Sequence, residues 1–507
     1  MKKIKNKSPL DNRLLNTYYP ASEEEIKTAY FQAQTAYKDW QSKTLNHRIK
    51  YLTKIRKVIS NNLDEIVETV VEDTGKAEVE ALVTDILVSL DIIKYYEKNA
   101  AQILADEKRS SPGLWLRNKS YISYEPYGVV AIIAPWNFPI QLALVPAISA
   151  LVAGNAVLLK PSEITPEVGA LLEKIFTQAE LPPNLIQILQ GGAEVGHELI
   201  NTKPDKIFFT GSVETGKKIM KQAAADLIPV ELELGGKDPM IILEDANLKR
   251  AVEGAVYGAF SNSGQLCVSI ERVYVAQEIY EEFVTKIMAR VQKLRVGTGK
   301  DVDLGTITYP EQLKVIKEQL KDAKAKGAQI KTEFDLNNYF LNPIVVTNVN
   351  HNMRLMQEES FGPILAIMPF SSQQEAVKLA NDSKYGLNSS VWSADLTQAK
   401  AIAQQLDVGN CYINDVVKNI GNPDLPFGGV KQSGIGKYHG AEGLYSFSQA
   451  KSIMINKNKQ REINWFPYSE KLYLLVKLLI IIKHSGKSLL TKLKSLLAIG
   501  KEYIDSN

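Results

Sequence analysis

Three short stretches carry residue types that could do covalent chemistry. A cysteine follows Gly-Gln in NSGQLCVSIER, a glutamate stands beside two glycines in PVELELGGKDP, and an asparagine sits between Trp and Phe in APWNFP. Brought together, they would supply a nucleophile, a base and an oxyanion donor. Cys267 lies in a turn after a helix-like segment at 250–262, where a thiol can be exposed and activated. Cysteine is also among the most buried residue types, so a small core filler is the competing reading. Glu233 lies between apolar stretches and could be partly desolvated and tuned towards a general base. The commoner case is a solvated glutamate at a strand end. Asn137 could donate its amide to an oxyanion, or simply form the turn before Pro139. Cys411, in VGNCYIND, has a strand-like setting and reads as core. The five histidines are scattered without ligand spacing, which argues against a metal.

Two further stretches suit a nucleotide. TGSVETG (210–216) puts Gly211, Ser212 and Gly216 between a strand and a helix start, where free N–H groups favour a diphosphate. LLKPSE (158–163) ends a strand with Lys160 and Glu163, a charge pair suited to ribose hydroxyls. The G-x-G-x-x-G fingerprint is absent. An ordinary βα turn explains the glycines equally well.

These residues need elements to hold them. From Gly128 onward, short apolar strands alternate with helices: GVVAIIAPWNFP then IQLALVPAISALVAG, and AVLLKPSEITP then EVGALLEKIFTQAE. The latter helix takes Thr165 as N-cap and Pro166 at N1. LIQILQGG and KIFFTGS continue the series. This rhythm predicts an α/β fold with a parallel, doubly wound sheet, whose ligands lie beyond the carboxyl ends of the strands. A second α/β region follows over about 235–445. Before the strands, Ser22-x-x-Glu25 is a capping box opening a helical region that runs to about residue 104. LWLRNKSYISYEP (114–126) and SFSQAKSIMINK (446–457) read as strands outside the main series.

The 507 residues exceed one compact core. With 45% hydrophobic and 23% charged residues, the composition is that of a soluble globular protein. A net charge of +3 gives no nucleic-acid footprint, and it is unevenly spread. Residues 471–501 carry seven lysines and no acid. Two cysteines build no disulfide framework, and the lysine-rich start lacks an apolar h-region, so the expectation is a cytoplasmic protein.

PWNFP, KPSE, FTGS, LELGGK, GQLCV, EESFGP and PFGGVKQSGIG occur in this order between residues 135 and 436. Together they resemble the aldehyde dehydrogenase superfamily, and PFGGVKQSGIGKYHG resembles its class 3 branch, which includes fatty aldehyde dehydrogenases. The resemblance implies an aldehyde dehydrogenase-like fold. A Rossmann-type NAD-binding domain would comprise 20–107 and 127–234, and a catalytic α/β domain 235–445. Strands at 108–126 and 446–457 would form a bridging, oligomerisation arm, and 458–507 a helical tail. It assigns Cys267 as nucleophile, Glu233 as base and Asn137 as oxyanion donor. Trp136, Lys160, Glu163, the turn from Gly211 through Ser212 to Gly216, Glu359 and Phe361 would contact the cofactor. Glu163 would accept a ribose 2′-hydroxyl and repel a 2′-phosphate; this favours NAD, although class 3-like enzymes often use NADP as well. The implied reaction is oxidation of an aldehyde to the acid through a Cys267 thiohemiacetal and thioester. The rivals are a CoA-acylating enzyme, which can dispense with Glu233, and an inactive scaffold of the same fold.

The resemblance also implies a homodimer. Taken with the apolar tail, it points to a hydrophobic aldehyde, aliphatic or of isoprenoid (apocarotenoid) type. In the tail, LYLLVKLLIII belongs to a helix over about 470–483, which Ser469 can cap. At about 21 Å that helix is too short to span a bilayer. From 487 to 501, leucines share one arc and lysines avoid it, the pattern of a basic amphipathic helix. The tail over 470–501 would lie on a membrane surface, guard the substrate entrance, or pack on the enzyme body.

Overall fold

The computed structural model describes residues 3–111, 118–336, 338–462 and 464–484, with positions 486, 494, 497 and 498. It divides into two compact units, 1–105 with 124–451, and 106–123 with 452–507.

The larger unit is built on two sheets. In the first, the strand order is Gly434–Ile435, Val230–Glu233, Lys206–Thr210, Val129–Ile133, Ala156–Lys160 and Ile186–Ile188. Its neighbours run parallel except for Gly434–Ile435, which pairs antiparallel with Val230–Glu233 and sets Gly434 opposite Glu233. VVAII, AVLLK and KIFFT are buried at every position. Helices cover both faces, which is why these strands are apolar along their central run rather than alternating. Helix Gln141–Ala153 is likewise buried all round, consistent with its lack of a polar face.

The second sheet has seven strands in the order Gln329–Ile330, Ile344–Thr347, Ile364–Phe370, Ile270–Ala276, Asp238–Ile242, Asn388–Trp392 and Asn410–Ile413. All pairs are parallel except the edge pair formed by Gln329–Ile330. Cys411 lies in the opposite edge strand and is exposed, so it is not the core residue expected. An edge strand has a neighbour on one side only, and little packs over it.

Several local expectations have a structural counterpart. Ser22 and Glu25 form a reciprocal capping box at helix Glu23–Trp40. Helix Pro166–Gln178 starts with Pro at N1, but Thr165 makes no side-chain capping bond. The alternation at the N-terminus, not singled out above, is a hairpin of Ile4–Lys7 and Leu14–Tyr18.

Ser448–Ile455, Lys119–Pro126 and Glu107–Arg109 are neighbours in a three-stranded sheet. Of the strand expected at 114–126, residues 114–117 lie outside the described residues. The tail contains helix Glu470–His484, whose start is capped where Ser469 Oγ accepts from Leu472 N at 3.2 Å. Among the described residues, no helix is long and apolar enough to cross a membrane. The amphipathic helix expected over 487–501 falls almost wholly outside the described residues.

Two sheets in one unit need a tight joint, and four residues, 234–237, supply it between Glu233 and Asp238. A Cβ on Gly236 would sit 2.5 Å from the Cys267 carbonyl oxygen and 2.7 Å from Asp238 Oδ1. Gly236→Ala is therefore expected to cost about 1–3 kcal/mol, as overpacking does. Urea unfolding should show this as a lower midpoint; an unchanged midpoint would mean the joint tolerates a side chain.

Candidate active site

A cavity of about 980 Å³ opens at the carboxyl ends of the first sheet's strands. It is lined by every residue assigned above a catalytic or cofactor-contact role except Gly216. A separate concavity of about 930 Å³, between residues 19–32 and 173–190, is lined by no cysteine, histidine or lysine. Chemistry is concentrated in the first.

Cys267 reaches the cavity from an unusual turn. Helix Leu248–Phe260 ends, and Asn262, Ser263 and Gly264 follow with φ of 49°, 53° and 72°. Three successive left-handed residues reverse the chain sharply, and such conformations persist only when surroundings enforce them. Here they do. Ser263 Oγ donates to Gly305 O at 3.0 Å, and Gln265 Nε2 donates to Asn262 O at 3.0 Å and Thr306 O at 3.1 Å. A Cβ on Gly264 would fall 2.1 Å from the Gly362 carbonyl oxygen, so only glycine fits there.

Asn137 meets this turn directly. Its Nδ2 donates to Gln265 O at 3.0 Å, two residues before the cysteine. One amide hydrogen is used in this way, and the other remains for a developing oxyanion. The Asn137 carbonyl accepts from Lys76 Nζ at 2.8 Å and Asn262 Nδ2 at 3.2 Å. Lys76 and Asn262 were not singled out in the sequence; Asn262 stands in the cysteine's own motif, whereas Lys76 gave no signal.

Glu233 is the last residue of its strand and is 3% exposed. Among the described residues, neither carboxylate oxygen has a hydrogen-bond partner. Burial pushes its pKa well above the usual carboxylate range; the neighbouring Glu231 charge adds to this and Lys437 opposes it. The solvated strand-end alternative is thereby excluded. Cys267 is half-buried. Its thiol pKa is also raised, first by desolvation and then by the charges of Asp238, Glu359 and Glu233.

Glu359 lies close to both. Its Oε1 accepts from Gly236 N at 3.0 Å, and burial pushes its pKa up to about 8. Its motif is folded by a carboxylate that sequence reading missed: Glu271 accepts from Ser360 N at 2.8 Å and Phe361 N at 3.1 Å and pairs with buried Lys237. Phe361 adopts φ 50° and packs edge-on to Trp136, with ring centroids 5.4 Å apart.

The remaining groups form the far end of the cavity. Lys160 is buried, with Nζ donating to Gly191 O at 2.7 Å, Pro161 O at 2.9 Å and Glu163 Oε2 at 3.3 Å. Glu163 keeps its side chain 42% exposed, available to a ligand hydroxyl. Ser212 caps helix Val213–Ala223. In this turn both glycine N–H groups are used within the protein. Gly211 N donates to Glu233 O and Gly216 N to Ser212 O, both at 2.9 Å. Gly216 serves packing instead, because a Cβ there would lie 2.7 Å from Leu234 Cδ2. The donors left for an anion are the first helical N–H groups, at Val213 and Glu214.

A nucleophile with a raised pKa has a pH signature. Its thiolate fraction, and so its alkylation by iodoacetamide, should be low at pH 7 and still climb above pH 9. Peptide mapping of Cys267 across pH 6–10 tests this. A rate already level by pH 8 would contradict it.

The aldehyde dehydrogenase family model matches residues 1–453. A 4,4'-diapolycopene aldehyde oxidase of Methylomonas sp is 46% identical over 468 residues, covering 92% of this chain and 88% of that protein. Among solved structures, the putative aldehyde dehydrogenase PutA of Anabaena variabilis superposes with a TM-score of 0.87 at 34% identity, covering 92% of this chain and 100% of that one. Betaine aldehyde dehydrogenase of Staphylococcus aureus, solved with NAD+, gives 0.86 at 33% identity, covering 92% and 94%. The fold, the cavity and these relatives agree, and the chain belongs to the aldehyde dehydrogenase family.

Proposed function

We propose that this protein oxidises a long, hydrophobic aldehyde to its carboxylic acid with NAD, NADP remaining an alternative cofactor. The observation that carries the reading is the convergence of Cys267, Asn137 and Glu233 on one cavity that also holds Lys160, Glu163 and the helix start after Ser212.

In this reading the Cys267 thiolate attacks the aldehyde carbon and forms a thiohemiacetal. The Asn137 amide and the Cys267 backbone N–H hold its oxyanion, which a desolvated site makes far stronger than in water. A bound cofactor would supply the hydride acceptor, and loss of hydride from the thiohemiacetal carbon gives a thioester on Cys267. Trp136 and Phe361 would flank its nicotinamide, Glu359 its near ribose, and Lys160 with Glu163 the adenosine ribose. Glu233 takes a proton from water, whose attack releases the acid and returns the thiolate. The unpartnered carboxylate oxygens of Glu233 suit this task, since none of the described residues competes for them. They also favour hydrolysis over transfer to CoA.

The substrate class rests on a relative named for the aldehyde of diapolycopene and on the apolar, basic tail. Aliphatic and apocarotenoid aldehydes both fit. The reading includes a cytoplasmic homodimer whose tail touches a membrane surface. Exposed Trp465, Phe466, Tyr468 and Tyr473 near the tail helix would sit at such an interface, as amphipathic aromatic rings do.

NADH release across aldehydes of graded chain length, including one polyene, tests the reading with and without liposomes. Cys267→Ala should lose all activity and still bind NAD. Loss of residues 458–507 should spare short aldehydes and reduce kcat/KM on insoluble ones about tenfold or more, the effect of losing one apolar contact region. Normal turnover by Cys267→Ala would overturn the mechanism, and acyl-CoA as product would overturn hydrolysis. A preference for short aldehydes, indifferent to truncation, would overturn the substrate class.

A further inference from the structure

The Asn137–Ile140 turn is held at both ends by one buried ion pair. Lys76 and Asp85 have side chains 1% and 0% exposed and meet at 2.6 Å. Lys76 Nζ also donates to the carbonyl of Asn137 at 2.8 Å and lies 4.5 Å from the centroid of the Phe138 ring. On the other side, Asp85 Oδ1 accepts from Ile140 N at 3.1 Å and Gln141 N at 3.4 Å. The lysine therefore fixes where the turn begins, and the aspartate fixes where helix Gln141–Ala153 starts.

The local backbone is shaped to deliver this pair. Lys76 follows Gly75, which ends helix Leu63–Thr74 at φ 72° and could carry no side chain, since its Cβ would fall 1.8 Å from Thr306 Oγ1. Asp85 stands in a π-helical segment, Ala81–Leu87, a conformation uncommon in helices and enriched at functional sites. Burying a Lys–Asp pair costs desolvation that its own attraction does not clearly repay, so stability alone is a weak reason for it.

We propose that Lys76 and Asp85 are positioning residues for the oxyanion donor. Their bonds fix the backbone of Asn137 so that its amide stands beside Gln265, two residues from the nucleophile. Asn262, whose Nδ2 donates to both Asn137 O and Gln265 O, closes the arrangement from the cysteine's side. Neither charged residue lines the cavity; both act through Asn137. The inference rests on the oxyanion role assigned above to Asn137.

An oxyanion exists in the transition state and not in the ground state. Displacing its donor should lower kcat and leave KM for aldehyde and NAD near the parental values. A displacement of about 1 Å can cost on the order of 100-fold, so Lys76→Met is expected to lose roughly 10- to 100-fold in kcat. The decisive comparison is a double-mutant cycle with Asn137→Ala. If Lys76 acts through the amide, adding Lys76→Met to Asn137→Ala should change kcat by less than about twofold. Asp85→Asn, which keeps the shape and can still accept from Ile140 N, provides a second arm should Lys76→Met fold poorly. Circular dichroism and NAD binding would establish that each variant is folded. A parental kcat in Lys76→Met, or the same fold-loss in both backgrounds, overturns the proposal. Parental kcat in Asn137→Ala would instead remove the oxyanion role itself, so the two failures are distinguishable.

Discussion

The joint between the two sheets is the constraint on which the site depends. Only residues 234–237 separate the end of one sheet at Glu233 from the start of the next at Asp238. A connection this short leaves no room for side chains on its inner face. Gly235 is approached by the Glu359 carboxylate, which a Cβ would meet at 2.2 Å, and Gly236 by the Cys267 carbonyl. The last residue of the joint, Lys237, pairs with Glu271, whose carboxylate folds the turn carrying Glu359 and Phe361. From the other side Ser433 holds it, accepting Leu234 N at 3.0 Å and donating Oγ to Gly235 O at 2.7 Å. Base, nucleophile and the Glu359 turn are neighbours because one short segment brings their chains together.

That closeness sets the electrostatics. Glu233 and Asp238 are buried and Glu359 is half-buried, and desolvation is the leading cause of each raised pKa. Such carboxyls hold their protons to higher pH than a surface carboxyl does. The same surroundings keep the Cys267 thiol protonated. The nucleophile and the base both gain their reactive forms as pH rises, so attack on the aldehyde and hydrolysis of the thioester should both accelerate in that direction. Bringing in a substrate also displaces water from a cavity whose fixed donors are already aimed, and this is where preorganised dipoles count for most.

Much of this was legible in the residues. The strand–helix rhythm after Gly128 marked the first sheet because buried parallel strands are apolar throughout. The motifs around Asn137, Glu233, Cys267 and Glu359 gave the chemistry because each combines a reactive type with the glycine or turn residue that positions it. Three things were not legible. Gly211 and Gly216 fit an anion-binding turn and an ordinary βα turn alike, and tertiary packing alone decides that Leu234 lies against Gly216. Cys411 looked buried because its strand reads like the others; whether a strand is central or at an edge is a long-range fact. Lys76 and Asp85 are nine residues apart, with nothing in their spacing to pair them, since a glycine cap and a π-helical segment decide where they point.

The most direct measurement is mass spectrometry of the Cys267 peptide in Glu233→Gln after brief mixing with aldehyde and NAD. With nucleophile and oxyanion donor intact but no base to activate water, an acyl group should accumulate on Cys267 as NADH is released once per site. An unmodified Cys267 peptide accompanied by continued parental turnover would contradict both the covalent route and the role of Glu233.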